Sequence, residues 1–359
     1  MNRTVFQKLK LYCLIIPFAL WVSSCVSGTD SKALHTFEGQ TMGTNFSIKL
    51  VGTDLNEERL KALRMLVEDT LQDIDKKMST YRPDSELSRF NKTNTTEPFH
   101  VSADMLSVFQ HALDISELTY GAFDITVGPM VDAWGFGPLD EPTKLPAEDD
   151  IERLKSQVDY RKLEINITEK TIRKLSPILA CDLSGIAKGY AVDQIADLLS
   201  SEGIESYLVE IGGEVRTLGF SERGDHWYIG IERPALGFPS IQRLVPLHKL
   251  SLATSGDYRN YYEIEGQRLS HMIDPRTGRP VSHSLTAVSV IEPLCVRADA
   301  IATALEVLGL EDGFALAVER GWAALFVIRN EDGTLYERET PAFNTVTDVG
   351  VKSSRSFIR

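Results

Sequence analysis

Cysteine is scarce here, with four in 359 residues and none spaced with histidine as a zinc site requires, which excludes the common zinc folds. Basic residues are short as well. Lys and Arg number 38 against 51 Asp and Glu, for a formal charge of −13 and a pI near 5.1. That balance argues against nucleic acid as a partner, because polyanion binding draws on basic surface. Any phosphate bound here therefore needs a local site or a metal. No Walker loop, Gly-x-Ser-x-Gly elbow or Gly-x-Gly-x-x-Gly fingerprint is present, so the usual nucleotide and hydrolase folds are not the template. No repeat, coiled-coil heptad or long linker divides the chain. What remains, 43% hydrophobic and 25% charged, has the composition of a water-soluble body able to bury a core.

Long apolar runs are also missing, apart from one at the N-terminus. Arg3, Lys8 and Lys10 precede an apolar stretch from Leu11 to Val22, short for a membrane span and suited to a secretory signal. It ends Val22-Ser23-Ser24-Cys25, similar to a bacterial lipobox, in which the signal is cleaved and the cysteine is lipidated. The expected organisation is a lipoprotein signal over 1–24, a tether over 25–34 held to a membrane face through lipid on Cys25, a body over 35–342 and a polar, loose tail over 343–359. Cys181 and Cys295 in the body are either paired or free.

Within the body, Phe46, Ile48 and Leu50 alternate in the second of two strands between 35 and 50, as a half-buried strand requires. Leu60, Leu63, Val67, Leu71, Ile74 and Met78 recur at helical spacing from Asn56 onward, which predicts a long amphipathic helix. A polar loop is expected over 82–97, a helix capped by Ser102 and stopped by Gly121, and an irregular segment over 121–145. A charged helix over 146–158 and a hairpin of 163–167 with 171–175 follow. After a central helix, strands are expected at 207–211, 214–218, 227–232, 244–247, 252–254, 261–264 and 285–291. Helices at 296–308 and 311–320 and a strand at 323–328 complete the body. Strands in runs rather than in strict alternation with helices indicate an α+β fold with a largely antiparallel sheet and flanking helices.

The chain is organised around Asp182-Leu183-Ser184-Gly185-Ile186-Ala187-Lys188-Gly189-Tyr190. This order describes either a loop feeding a helix N-terminus that holds phosphate, with Lys188 meeting its charge, or simply a capped surface helix. In Arg297 to Thr303, Asp299 and Thr303 are one helical turn apart, so a carboxylate and a hydroxyl face the same way, as hard donors for Mg²⁺ or as ordinary first-turn residues. His271 precedes an Asp-Pro-Arg-Thr-Gly turn and reads either as an acid, base or phosphate contact or as a structural histidine. Gly212-Gly213-Glu214, Thr254-Ser255-Gly256-Asp257, Gln40 to Thr44, Tyr81 and Gly121-Ala122-Phe123-Asp124 are turns or ligand surfaces on the same footing.

Taken together and in this order, these stretches resemble the ApbE family, the FAD:protein FMN transferases. Position 184 is Ser where many members have Gly. The resemblance implies a T-fold-like body that binds FAD and Mg²⁺ and transfers FMN to a threonine hydroxyl of a target flavoprotein, releasing AMP. It implies FAD contacts at Met42, Tyr81, Ala122, Phe123, Asp124, Asp182, Lys188 and Ile273, a metal on Asp299, Thr303 and a backbone oxygen of Gly185, and a transfer role for His271. It also implies sodium-pumping quinone reductase or Rnf-type subunits as acceptors; lipid on Cys25 would hold the body in the cell envelope, at the periplasmic face of the inner membrane, with the outer membrane as the alternative. An FAD pyrophosphatase and a non-catalytic flavin-binding lipoprotein are the competing readings.

Overall fold

The computed structural model describes residues 33–52, 54–138, 144–234, 240–256, 261–264 and 267–355. The signal over 1–24, Cys25 and its tether as far as residue 32, Asp257 and residues 356–359 lie outside the described residues. Eight strands form the main sheet: Ala33–Thr41, Thr44–Gly52, Tyr207–Ile211, Glu214–Leu218, Ser251–Gly256, Leu285–Glu292, Ala323–Arg329 and Leu335–Glu339. They lie side by side in chain order, each antiparallel to the next. The α+β class with a largely antiparallel sheet is thus what the sequence led one to expect.

The helices are α1 (Glu57–Met78), α2 (Glu86–Lys92), α3 (Ala103–Leu118), α4 (Gly128–Ala133), α5 (Glu148–Lys155), α6 (Ala187–Ser201), α7 (Cys295–Arg320) and α8 (Pro341–Arg355). Alternation along the strands decides which face each residue serves. Ile48, Leu50, Val209, Ile211, Val288, Val290, Phe326 and Ile328 point into one core with α1, α3, α6 and α7. Their neighbours Val51, Leu208, Leu252, Ile291 and Leu325 point to the other face, under the Trp227–Glu232 and Ile241–Leu247 hairpin and Phe343 of α8. Each such side chain, once fully buried, contributes about 1.5–3 kcal/mol. A third, smaller core of Met130, Trp134, Ile151, Leu269 and Ile273 joins α4 and α5 to the strands leading to the His271 turn.

Three expectations are corrected. The 82–97 loop contains α2, started by Ser85, whose hydroxyl accepts from Ser88 N at 2.9 Å. The 121–145 segment is not wholly irregular, since it contains α4. The body does not end at 342, because α8 runs from Pro341 to Arg355 and Phe343 is fully buried. Conversely, the break foreseen between two C-terminal helices is real: α7 kinks at Gly309, with φ 77° and ψ −178°.

The joint between α6 and α7 positions the site. Leu294, the residue before α7, has no side-chain oxygen to satisfy the first amides. Asp193 of α6 does so from outside, accepting from Cys295 N at 3.0 Å and Val296 N at 2.9 Å, while Arg216 donates to it at 2.7 Å. The start of α7 is thereby fixed against the middle of α6.

Candidate active site

The central motif is the hinge of the site. Asp182 N donates to Ile125 O at 2.7 Å, and Asp182 Oδ1 accepts from Ser184 N at 2.7 Å, closing an Asx turn that feeds α6. Asn91 of α2 clamps the preceding residue from both sides, donating to Cys181 O at 2.7 Å and accepting from Cys181 N at 2.8 Å. Cys181 and Cys295 are free, buried thiols, and burial raises the pKa of both.

From that turn Lys188 extends into a buried acidic cluster. Its Nζ lies 3.3 Å from Glu214 Oε1 and 3.8 Å from Asp299 Oδ1, and it donates to Ser184 O at 3.5 Å. Asp299 Oδ2 accepts from Gly189 N at 2.9 Å. Burial pushes the Glu214 carboxyl up to about 8, with Lys188 opposing and Asp299 adding to the rise. Burial also raises Asp299, against the pull of Lys188 and the Gly189 amide. Lys188 itself is held well above the ordinary lysine range, because the attraction of Asp299 and Glu214 outweighs its desolvation. Glu214 Oε2 is buried and has no hydrogen-bond partner among the described residues.

Thr303 lies one turn beyond Asp299 on α7, and its hydroxyl is 3.2 Å from that of Ser255. Gly185 is wedged against Thr303 and the Phe123 ring: a methyl group there would stand 3.2 Å from Thr303 Oγ1 and 3.3 Å from Phe123 Cε2. Gly189 is tighter still, since a β-carbon would meet Cys295 O at 2.4 Å and Asp299 Cβ at 2.8 Å. Backbone cannot move aside as a side-chain tip can. Gly189→Ala is therefore expected to prise α6 from α7, costing at least about 2 kcal/mol and most of the activity. Thermal melting checks this, and an unchanged midpoint would contradict the close approach.

A second group gathers around Tyr81. The Tyr81 hydroxyl donates to Phe136 O at 3.3 Å, and the Phe136 ring meets the His271 ring edge-on at 6.3 Å. Tyr81 is 69% exposed, yet desolvation and the charges of Asp182 and Asp132 raise its phenol. Burial and Asp182 likewise raise Asp132. An exposed aromatic ring, a histidine and two carboxylates thus face one region.

The remaining residues take other places. Met42 and Gly43 form the tip of the first hairpin with φ of 48° and 72°, the left-handed pair of a tight hairpin turn. The next residue, Thr44, reaches Gly212, where a β-carbon would meet Thr44 Cγ2 at 2.9 Å and Lys188 Cδ at 3.2 Å. Both oxygens of Asp124 serve local structure, accepting from Thr126 N at 2.8 Å, Thr126 Oγ1 at 2.7 Å and Tyr160 N at 2.9 Å. Ala122 is buried beside Met272 and Val307. The Ile273 side chain lies in the small third core.

The structure therefore brings Gly185, Lys188, Asp299 and Thr303 together with Phe123, and places Tyr81 near Asp182 and, through Phe136, near His271. Asp132 and Asn91 were not among the candidates, and Glu214 stood among them only as the end of a glycine turn, with no role of its own. Asn91 was hidden in a stretch read as loop, and Glu214 followed a glycine pair that reads as a turn. Among the described residues no three His, Cys, Asp or Glu side chains gather to hold a metal. A cation here would depend on mixed donors, with a hydroxyl and backbone oxygen beside a carboxylate.

Comparison with known proteins gives the family. A family model described as the ApbE family matches residues 42–326. The chain is 42% identical over 297 residues to the FAD:protein FMN transferase of Vibrio cholerae, covering 82% of this chain and 87% of the relative. It is 37% identical over 319 residues to the FAD:protein FMN transferase of Escherichia coli, covering 88% and 90%. Among solved structures, the flavin transferase ApbE from Vibrio cholerae is similar with a TM-score of 0.80 at 39% identity, over 88% of this chain and 99% of that one. The apo Pseudomonas stutzeri flavinyl transferase ApbE gives 0.80 at 36% identity, over 88% and 97%.

Proposed function

The chain belongs to the ApbE family, and from that premise we propose that it transfers the FMN half of FAD to a threonine hydroxyl of a target flavoprotein and releases AMP. The observation that carries the reading is Lys188, held between the buried carboxylates of Glu214 and Asp299 in the first turn of α6. A pyrophosphate placed there would meet an ammonium group and the positive end of a helix, the two features that hold phosphate without a Walker loop.

The donor set fits a small dication. Asp299 and Thr303 supply hard oxygens, Gly185 sits against Thr303, and Glu214 Oε2 is buried with no hydrogen-bond partner among the described residues. Asp299, Thr303 and a backbone oxygen of Gly185 would hold Mg²⁺, which neutralises charge on the reacting phosphate when bound. The chain's own residues do the rest. Lys188 meets the phosphate oxygens, Tyr81 and Met42 offer flat and flexible apolar contact to the rings, and Asp182 accepts a hydrogen bond from a base or ribose edge. The bond between the FMN phosphorus and the bridging oxygen breaks as a bond forms between that phosphorus and the threonine oxygen. AMP keeps the bridging oxygen, and the hydroxyl proton passes to a base, His271 or a nearby carboxylate.

A lipid at Cys25 would place this body on a membrane face. Acceptors would then be exported or membrane-embedded redox subunits of the quinone reductase or Rnf type, met at the periplasmic face of the inner membrane. Chromatography of the products with and without an acceptor domain tests the activity. AMP formed only with acceptor is the expected result, abolished by excess EDTA. AMP and free FMN formed without acceptor would make the protein a pyrophosphatase, and bound FAD with neither product would make it a carrier. Full turnover in EDTA would remove the metal from the account.

A further inference from the structure

We infer that Glu214 is a charge-setting member of the cation site, acting through Lys188 as a positioning residue rather than by touching the substrate. The inference rests on the cation site of the reading above and deepens it. Two carboxylates, Glu214 and Asp299, are 3% and 2% exposed and share one ammonium group. With both carboxylates ionised, the form a dication would bind, the cluster carries one negative charge in excess inside a low-dielectric region, where uncompensated charge is costly.

The way each carboxylate is held shows where the compensation is missing. Asp299 has the Gly189 amide and Lys188. Glu214 has Lys188 on Oε1 and nothing among the described residues on Oε2, although that oxygen is out of reach of solvent. Buried polar atoms are ordinarily hydrogen-bonded, so Oε2 is open to a further ligand. The backbone is shaped around the same contact. Gly212 leaves room for the Lys188 stem, because a β-carbon there would stand 3.2 Å from Lys188 Cδ. The Gly212–Gly213 turn, with φ of 65° and 108°, then delivers Glu214 to the end of that stem. The Gly-Gly-Glu sequence is in this sense a lysine holder.

Charge arithmetic gives the role. When all three are ionised, Asp299, Glu214 and Lys188 sum to −1, so a bound dication would bring the site to +1, a charge suited to a pyrophosphate. Without Glu214 the empty site is neutral and attracts a dication less. Without Lys188 it is −2 and attracts one more. Removing both restores −1. A residue that served only packing would move none of these in a signed way.

The test is Mn²⁺ binding to the FAD-free protein, followed by the loss of the free-ion electron paramagnetic resonance signal at pH 8 and low salt. Relative to wild type, Glu214→Gln is expected to weaken Mn²⁺ about tenfold or more, and Lys188→Met to tighten it by a similar factor. The double variant is expected to return near the wild-type value. Glutamine keeps the shape and an oxygen for Lys188, so Glu214→Gln is expected to fold, and its melting midpoint verifies this. Folded Glu214→Gln protein binding Mn²⁺ within twofold of wild type overturns the inference while leaving the transferase reading standing. Wild type that binds no Mn²⁺ removes the cation site itself, and the inference with it.

Discussion

Replacing Asp299 by asparagine is expected to lower FMN transfer on the order of 10³-fold while the protein still folds. The amide oxygen preserves the hydrogen bond from Gly189 N, now 2.9 Å long, so the contact between α6 and α7 survives. What disappears is the charge. Asp299 is the carboxylate proposed to hold the metal and also one of the two that orient Lys188. Loss of several kcal/mol of charge stabilisation at the phosphorus translates into about three orders of magnitude in rate. Stability is a poor counter-explanation, since a buried carboxylate whose proton affinity is raised by desolvation contributes little to folding. Single-turnover rates beside a melting curve check the prediction. Activity within tenfold of wild type would show that the metal and Lys188 do not depend on this residue.

Lys174→Met is expected to act in the opposite way, on the fold and through it on the site. Lys174 is 1% exposed, and its Nζ donates to Thr93 O at 2.6 Å, Leu179 O at 3.1 Å, Pro177 O at 3.2 Å, Phe90 O at 3.3 Å and Asn91 O at 3.4 Å. Its charge is met by carbonyl dipoles and the Phe90 ring, 5.3 Å away, and desolvation lowers its pKa. This cage ties the end of α2 to the strand that leads into Cys181 and Asp182. Methionine fills the volume but leaves several buried carbonyls unpaired, each worth about 1–3 kcal/mol when orphaned. A net loss of about 3–5 kcal/mol follows, visible as a fall in Tm of roughly 10 °C. A loss below about 1 kcal/mol would show that water replaces the ammonium group at no cost.

Lys174 also shows why part of the molecule was illegible in the sequence. A lysine in a strand reads as a solvated edge, and nothing local announces five carbonyls from two segments, 90–93 and 177–179. The α1 stripe was legible because its periodicity is local: Leu63, Val67, Leu71, Ile74 and Met78 are all buried. So were the alternation of Ile48 and Leu50 and the break at Gly309, each set by neighbouring residues alone. The seven-residue α2 is too short for periodicity to stand out. In the site, Asp299 and Thr303 could be paired from helical spacing, but Glu214 joins them from the fourth strand of the sheet, and only the fold brings that strand to Lys188. Asp124 illustrates the converse: an acid in a suggestive motif whose oxygens turn inward to Thr126 and Tyr160.

The central claim is group transfer rather than hydrolysis or storage, and the mass of the acceptor tests it most directly. Protein lacking residues 1–25 would be incubated with FAD, Mg²⁺ and a threonine-containing acceptor domain, and the acceptor then weighed intact. The account predicts a gain equal to one FMN phosphoester, absent when the acceptor threonine is replaced by valine and absent with Asp299→Asn enzyme. An acceptor of unchanged mass, with FAD consumed or merely bound, would contradict it.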